Sequence, residues 1–212
     1  MRVAVYGCSF TYGARSTDFV GWPTEFAKLH PQWEIYDFSA SGTSLEYSAL
    51  MCERYHQQYD LNIFQVTLPN RVTEFDPRLD WQQLQKKLNG VYKTPETVQD
   101  RYITMHDVHH NSAVIREYVA KRSYGAYRLE HKALIEMAKT WSDLVFGVWH
   151  YNEDEQYYDI PYLCDEWDTD LIESIKSDTY CTEPDSRGRP GHFNHKGRQL
   201  IAEWVDKRLK TR

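Results

Sequence analysis

The chain has 212 residues, 41% of them hydrophobic and 26% charged, a balance typical of one soluble domain with a buried core. The formal net charge of -6 argues against a nucleic-acid-binding protein, which would be expected to carry a basic patch. No apolar run reaches the roughly 18 residues of a membrane span, and the run from Met1 to Gly7 is too short for a signal peptide. Four cysteines without a CxxC pair indicate reduced thiols in a cytoplasmic compartment.

Strands and helices alternate along the sequence. The predicted strands run over Arg2–Gly7, Trp33–Phe38, Leu61–Thr67 and Leu144–Trp149. The predicted helices run over Trp22–Leu29, from the small-residue turn Ser39–Ser44 to about Tyr55, within Ser112–Lys139 and over His195–Lys210. Thr43 or Ser44 is the expected cap of the second helix, and Ser9–Asp18 is predicted as a polar loop. This alternation predicts an α/β fold with a parallel sheet and helices on both of its faces.

The stretch from Phe75 to about Asn111 loses clear periodicity. We interpret 75–111 as an insertion or lid, partly helical around Trp81–Leu88, in a single domain that spans 1–212. Within it lies a group of imidazoles and a carboxylate that is chemically able to bind zinc or iron, namely His106, Asp107, His109 and His110. The spacing fits no strong metal pattern, so we expect solvated surface or substrate contact there and no metal.

Candidate chemistry follows each of the first three strands, at Ser9, Gly42 and Asn70. In parallel sheets the ligand site lies at the carboxyl ends of the strands. A serine between Gly7 and Gly13 can present its hydroxyl at that edge, with backbone N–H groups nearby for a developing oxyanion. An ordinary turn would use the same residue types, so this stretch alone supports either interpretation.

His192 precedes the last predicted helix and could reach a serine at the end of the first strand. The alternative is a helix-entry loop in which Asn194 is the cap and His192 is a polar surface residue. Arg71 follows the third strand and could bind an anionic substrate, or it could pair with Glu74 or Asp76.

Together these segments resemble the SGNH (GDSL-like) hydrolase family, including its members from bacteriophage genomes. Gly7-Cys8-Ser9-Phe10-Thr11 is similar to the first block, Gly42 matches the second-block glycine, Asn70 lies at the third block, and His192–Gly197 is similar to the final block. The resemblance implies a three-layer α/β/α, flavodoxin-like fold and a serine esterase without a cofactor. It also implies Ser9 as nucleophile and His192 as base, with Gly42 and Asn70 as oxyanion donors. The implied substrate is an O-acetyl or short acyl ester of a carbohydrate or small metabolite.

The sequence departs from the family pattern at three places. Cys8 replaces the usual aspartate, and the third block lacks its glycine. The family's triad acid lies three residues before the histidine, where this chain has Arg189, which cannot accept a hydrogen bond from an imidazole. Asp185 or Asp178 could orient His192 instead, or the protein could use a Ser–His dyad. The rival interpretation is a catalytically dead binding or structural protein, such as a virion component, with 75–111 as its contact surface.

Overall fold

A computed structural model of the protein describes residues 1–12, 20–40, 43–66, 71–75, 86–87, 102–106, 124–147 and 192–212. The backbone alone is described for 71–75, 86–87, 102–106 and 124–128. Within these ranges, no helix combines the length and the apolar character needed to cross a membrane.

Apart from the three strands described between residues 71 and 106, the described elements follow the alternating order that the sequence predicts. The strands are β1 (Arg2–Tyr6), β2 (Glu34–Asp37), β3 (Leu61–Gln65), β4 (Arg71–Phe75), β5 (Lys86–Lys87), β6 (Tyr102–His106) and β7 (Leu144–Phe146). The helices are α1 (Ser9–Tyr12), α2 (Trp22–Leu29), α3 (Leu45–Tyr55), α4 (Tyr124–Trp141) and α5 (His195–Lys210), with a 3-10 turn at His56–Gln58.

The main sheet has the strand order β5-β2-β1-β3-β7. Strands β2, β1, β3 and β7 pair in parallel, whereas β5 adds to the edge of β2 in the antiparallel direction. Strands β4 and β6 form a separate two-stranded antiparallel sheet. The parallel sheet with its flanking helices confirms the predicted three-layer α/β/α fold.

Strand β1 lies at the centre of the sheet, and its alternating side chains enter two different cores. Ala4 and Tyr6 belong to a cluster that includes residues of α3 and α4. Val3 and Val5 belong to a cluster that includes residues of α2 and α5. Because all four of these side chains are fully buried, β1 holds its carboxyl end, and the loop that follows it, in a fixed position between the two helical layers.

Helices α2 and α5 have the predicted bounds. The Ser44 hydroxyl accepts a hydrogen bond from the Tyr47 N–H at the start of α3, so the N-cap of that helix is Ser44 and not Thr43.

Two predictions were wrong. Residues 9–12 form a helical turn rather than a loop. Lys86–Lys87, placed in a helical stretch, are strand, because they pair with the backbone of β2 at the sheet edge, where lysines are well tolerated. The β4–β6 pairing also begins at Arg71, before the predicted insertion.

Candidate active site

Ser9 is the first residue of α1, a single helical turn that follows the carboxyl end of β1. The Cys8 carbonyl closes this turn by accepting hydrogen bonds from the backbone N–H groups of Thr11 at 3.0 Å and Tyr12 at 2.9 Å. Ser9 is 3% exposed. The backbone of the candidate nucleophile is therefore held by local hydrogen bonds at the end of the central strand of the sheet.

Gly7 is required by the close packing between the end of β1 and α1. A Cβ atom at this position would lie 1.9 Å from the Thr11 hydroxyl oxygen and 2.8 Å from the Thr11 Cβ. Both separations are far shorter than any real contact between such atoms, so the absence of a side chain lets α1 fold back onto the strand. Close packing alone therefore explains why residue 7 is a glycine, independently of any catalytic role.

The Gly7 carbonyl ties this turn to the start of α3. It lies within hydrogen-bond distance of the Ser48 hydroxyl at 3.1 Å and of the Thr43 hydroxyl at 3.3 Å. The chain that leads from β2 toward Thr43 is in turn fixed by Asp37, whose buried carboxylate accepts a 2.8 Å hydrogen bond from the Ser39 N–H. The loops after β1 and β2 are therefore joined at the carboxyl edge of the sheet.

Gln65, the last residue of β3, holds α1 from the other side. Its side-chain oxygen accepts hydrogen bonds from the Thr11 hydroxyl at 2.8 Å and from the Trp22 indole N–H at 2.7 Å. Since an indole N–H can only donate, the orientation of the Gln65 amide is determined. All three side chains are fully buried, so β3, α1 and the first residue of α2 share one internal hydrogen-bonded junction.

His192 lies beside α1, the helical turn that begins at the candidate nucleophile Ser9 (the nucleophile turn). Its ring stacks on the ring of Phe10, with centroids 4.6 Å apart and planes 18° from parallel. His192 is 7% exposed, and Phe193 after it is buried in the cluster beneath α2 and α5. The Asn194 side-chain oxygen accepts a 3.0 Å hydrogen bond from the Gly197 N–H and caps α5. The structure therefore brings the first and last of the predicted site segments together, and the surface interpretation of His192 is wrong.

Helix α5, which carries this loop, is fixed against α2 at both ends. The buried Arg198 guanidinium donates to the carbonyl of Val20, just before α2. The first residue of α5, His195, lies 3.4 Å from the Glu25 carboxylate. Near the other end, the His30 and Asp206 side chains are 3.0 Å apart. These contacts set the position from which the chain enters α5, and hence the position of His192.

Tyr6 is the last residue of β1 and lies two positions before Cys8. Burial raises the pKa of its phenol well above the ordinary value, and its hydroxyl donates to the Asn62 side-chain oxygen at 3.1 Å. Burial also raises the pKa of the Cys52 thiol, to about 12. Of the cysteines in the described ranges, Cys8 and Cys52 are free thiols and both are buried. Tyr6 and Cys52 are therefore neutral groups of the buried core.

The remaining predicted site residues lie largely outside the described part of the chain. This holds for Gly42, Asn70 and Asp185, and Arg189, at the family's usual position of the acid, also lies outside it. Arg71 is described by its backbone, as the first residue of β4, where it pairs in register with His106 of β6. His109 and His110 also lie outside the described residues.

Two residues of this site were missed in the sequence. Phe10 stands in a stretch of polar and small residues, and Gln65 is a polar residue within the apolar run of β3. An amide in a buried strand is a sign of a specific contact, because buried polar groups need hydrogen-bond partners. Neither pattern alone names its partner.

Comparison with known proteins places the fold. No protein-family model and no curated protein matches the sequence. A catalytic mutant of an acetylxylan esterase from Geobacillus stearothermophilus superposes with a TM-score of 0.50 at 11% identity, over 98% of this chain and 93% of that chain. A member of the lipolytic protein G-D-S-L family from Veillonella parvula has a TM-score of 0.49 at 12% identity, over 98% and 97%. The protein has an SGNH hydrolase-like fold.

Proposed function

We propose that the protein is a serine esterase in which Ser9 is the nucleophile and His192 the general base. The observation that carries the proposal is the stacking of His192 on Phe10, the residue next to Ser9. The stack places a buried imidazole beside the helical turn that begins at the buried Ser9, at the carboxyl edge of the parallel sheet, where such folds bind their ligands.

The reaction is a two-step acyl transfer. His192 takes the Ser9 hydroxyl proton as the oxygen attacks the acyl carbonyl, and the tetrahedral intermediate expels the alcohol, which leaves with the proton from His192. The acyl group is then bonded to Ser9. His192 next takes a proton from water as the water oxygen attacks the acyl carbonyl, and the second tetrahedral intermediate expels the Ser9 oxygen, which takes the proton back from His192. The carboxylic acid is released, and both Ser9 and His192 return to their starting states.

The oxyanion would be held by backbone and amide donors. Ser9 follows the carboxyl end of β1, at the edge where such sheets bind their ligands. We assign its N–H as the first donor, with the Gly42 N–H and the Asn70 side-chain amide as the other two. Removing one such donor costs about two to three orders of magnitude in rate, so each assignment can be measured.

The acid that orients His192 is proposed to be Asp185. Arg189 occupies the position that the family pattern reserves for the acid, so the acid must come from elsewhere or the site must work as a dyad. Loss of the orienting acid in a triad costs about four orders of magnitude in rate. An Asp185→Asn variant with unchanged turnover would favour the dyad.

The proposed substrate is an O-acetyl or short acyl ester on a carbohydrate or small metabolite. The likeness of fold to an acetylxylan esterase supports an acetylated carbohydrate. Arg71 would contact an anionic part of the substrate. The proposed steps use side chains and water only, so neither a metal nor an organic cofactor is assigned.

Hydrolysis of p-nitrophenyl acetate and of acetylated xylo-oligosaccharides tests this function. The wild-type protein should hydrolyse at least the activated ester, whereas Ser9→Ala and His192→Gln should not, with unchanged thermal melting. Activity that survives in Ser9→Ala would overturn the assignment of the nucleophile. Activity lost on dialysis against EDTA would instead point to a metal hydrolase, and a folded but inactive wild type would favour the binding protein.

A further inference from the structure

The ring of Phe10 contacts two consecutive aromatic residues of the segment that precedes α5. One face of it is stacked against His192. Phe193 packs against it at a centroid distance of 5.4 Å and an angle of 57°. The backbone of Phe10 lies within α1, whose turn is closed by the Cys8 carbonyl. Phe10 is therefore a fixed surface on which the imidazole rests.

A stack of this kind restrains the imidazole in a way that a hydrogen bond does not. Near-parallel rings contact each other through their faces, and the two imidazole nitrogens lie at the edge of the ring. The contact with Phe10 thus limits the tilt of the His192 ring and leaves both nitrogens directed along its plane, where proton transfer takes place.

We propose that Phe10 is a positioning residue that holds the His192 ring in its reactive orientation, a task that the triad acid performs in serine hydrolases. This inference rests on the proposed function. Since Arg189 occupies the usual position of the acid, the ring face next to the nucleophile is an orienting contact in addition to the proposed Asp185. The same face stabilises the imidazolium that forms when the Ser9 proton is taken, because a cation is attracted to the face of an aromatic ring.

Substitutions at Phe10 distinguish its effect on the orientation of the His192 ring from its contribution to packing in the core. Phe10→Leu removes the ring face and should lower kcat on p-nitrophenyl acetate by about three- to tenfold, the range expected for one aromatic pair, with KM little changed. Phe10→Tyr keeps the face and should restore kcat. Trp204→Leu is the matched control, because Trp204 is another partly buried aromatic residue of the same cluster. It should lose thermal stability without a comparable loss of kcat.

The NMR signals of the His192 ring protons give a readout that does not depend on turnover. The stacked ring of Phe10 should shift them upfield, and the shift should disappear in Phe10→Leu and persist in Phe10→Tyr and Trp204→Leu. If Phe10→Leu does not fold, Phe10→Met takes its place, since methionine preserves volume without a ring.

The outcomes distinguish this inference from the proposed function. An active wild type, a slow Phe10→Leu and a restored Phe10→Tyr support both. An active wild type with unchanged kcat in Phe10→Leu overturns the positioning role and leaves the esterase intact. A wild type without esterase activity overturns the proposed function, and the positioning role with it.

Discussion

The Thr11 hydroxyl donates a 2.8 Å hydrogen bond to the Gln65 side-chain oxygen, which also accepts from the Trp22 indole at 2.7 Å. Thr11 is two residues after Ser9 and lies in the same helical turn. The buried amide at the end of β3 therefore holds the nucleophile turn against the sheet. This junction links the stability of the fold to the position of the candidate nucleophile.

Gln65→Leu should leave two buried donors without their acceptor. The cost of such unsatisfied groups predicts a loss of about 1–3 kcal/mol in the free energy of unfolding, together with slower turnover because α1 loses its anchor. Urea unfolding and p-nitrophenyl acetate hydrolysis measure the two effects. Thr11→Val is the matched control, because it removes one donor and leaves the Trp22 bond intact, so its cost should be smaller. Equal stability of Gln65→Leu and wild type would contradict the anchoring role.

Gly7→Ala should destabilise the protein through a clash with Thr11. The added Cβ would lie 1.9 Å from the Thr11 hydroxyl oxygen, and overpacking of this kind costs about 1–3 kcal/mol. Thr11→Ala removes that oxygen, so the double variant should lose less stability than the sum of the two single variants. Urea unfolding of all three variants measures this coupling, and strict additivity would show that the Thr11 hydroxyl is not the obstacle.

Asn194→Ala should weaken the start of α5 and displace the loop that carries His192. Loss of a side-chain N-cap costs about 1 kcal/mol in stability, and we expect esterase activity to fall as well. Asn194→Asp keeps the acceptor for the Gly197 N–H and serves as the control. A fall in stability of Asn194→Ala without any fall in kcat would show that the position of His192 does not depend on this cap.

The fold should lose stability at alkaline pH because of Cys52 and Tyr6. Burial raises the pKa of the Cys52 thiol from an ordinary value of 9.0 to about 12, and it raises that of the Tyr6 phenol in the same direction. Above pH 9 the unfolded chain releases protons that the folded protein keeps, so this stabilisation is complete below pH 9 and is lost as the pH rises toward 12. Urea titrations over this range measure the decline, and Cys52→Ser should make it shallower. A free energy of unfolding that stays constant there would contradict the neutral burial of both groups.

Local patterns were sufficient to predict most of the described elements. Helices α2 and α5 begin and end where the sequence indicated, because amphipathic spacing and end signals are properties of neighbouring residues. Strand β5 could not be found this way, since two lysines become a strand only by pairing with β2, a segment far away in the chain.

The site was predictable to the same extent. Ser9 and His192 were chosen as candidates from the residues around them and from a family resemblance, and the structure places His192 beside α1. The stacking of Phe10 on His192 and the bond from Thr11 to Gln65 were not predicted. Both contacts join distant parts of the chain and depend on the three-dimensional packing of β1, β3 and α5, which no local pattern encodes.

The most direct test of the proposed esterase is covalent labelling by a fluorophosphonate probe, followed by intact-mass and peptide mass spectrometry. Fluorophosphonates react with activated serine nucleophiles, so the wild-type protein should gain one adduct, located at Ser9, and His192→Gln should react far more slowly. Ser9→Ala should gain none. A folded wild-type protein that gains no adduct, or that carries it at another residue, would contradict the assignment of Ser9 and His192 as nucleophile and base.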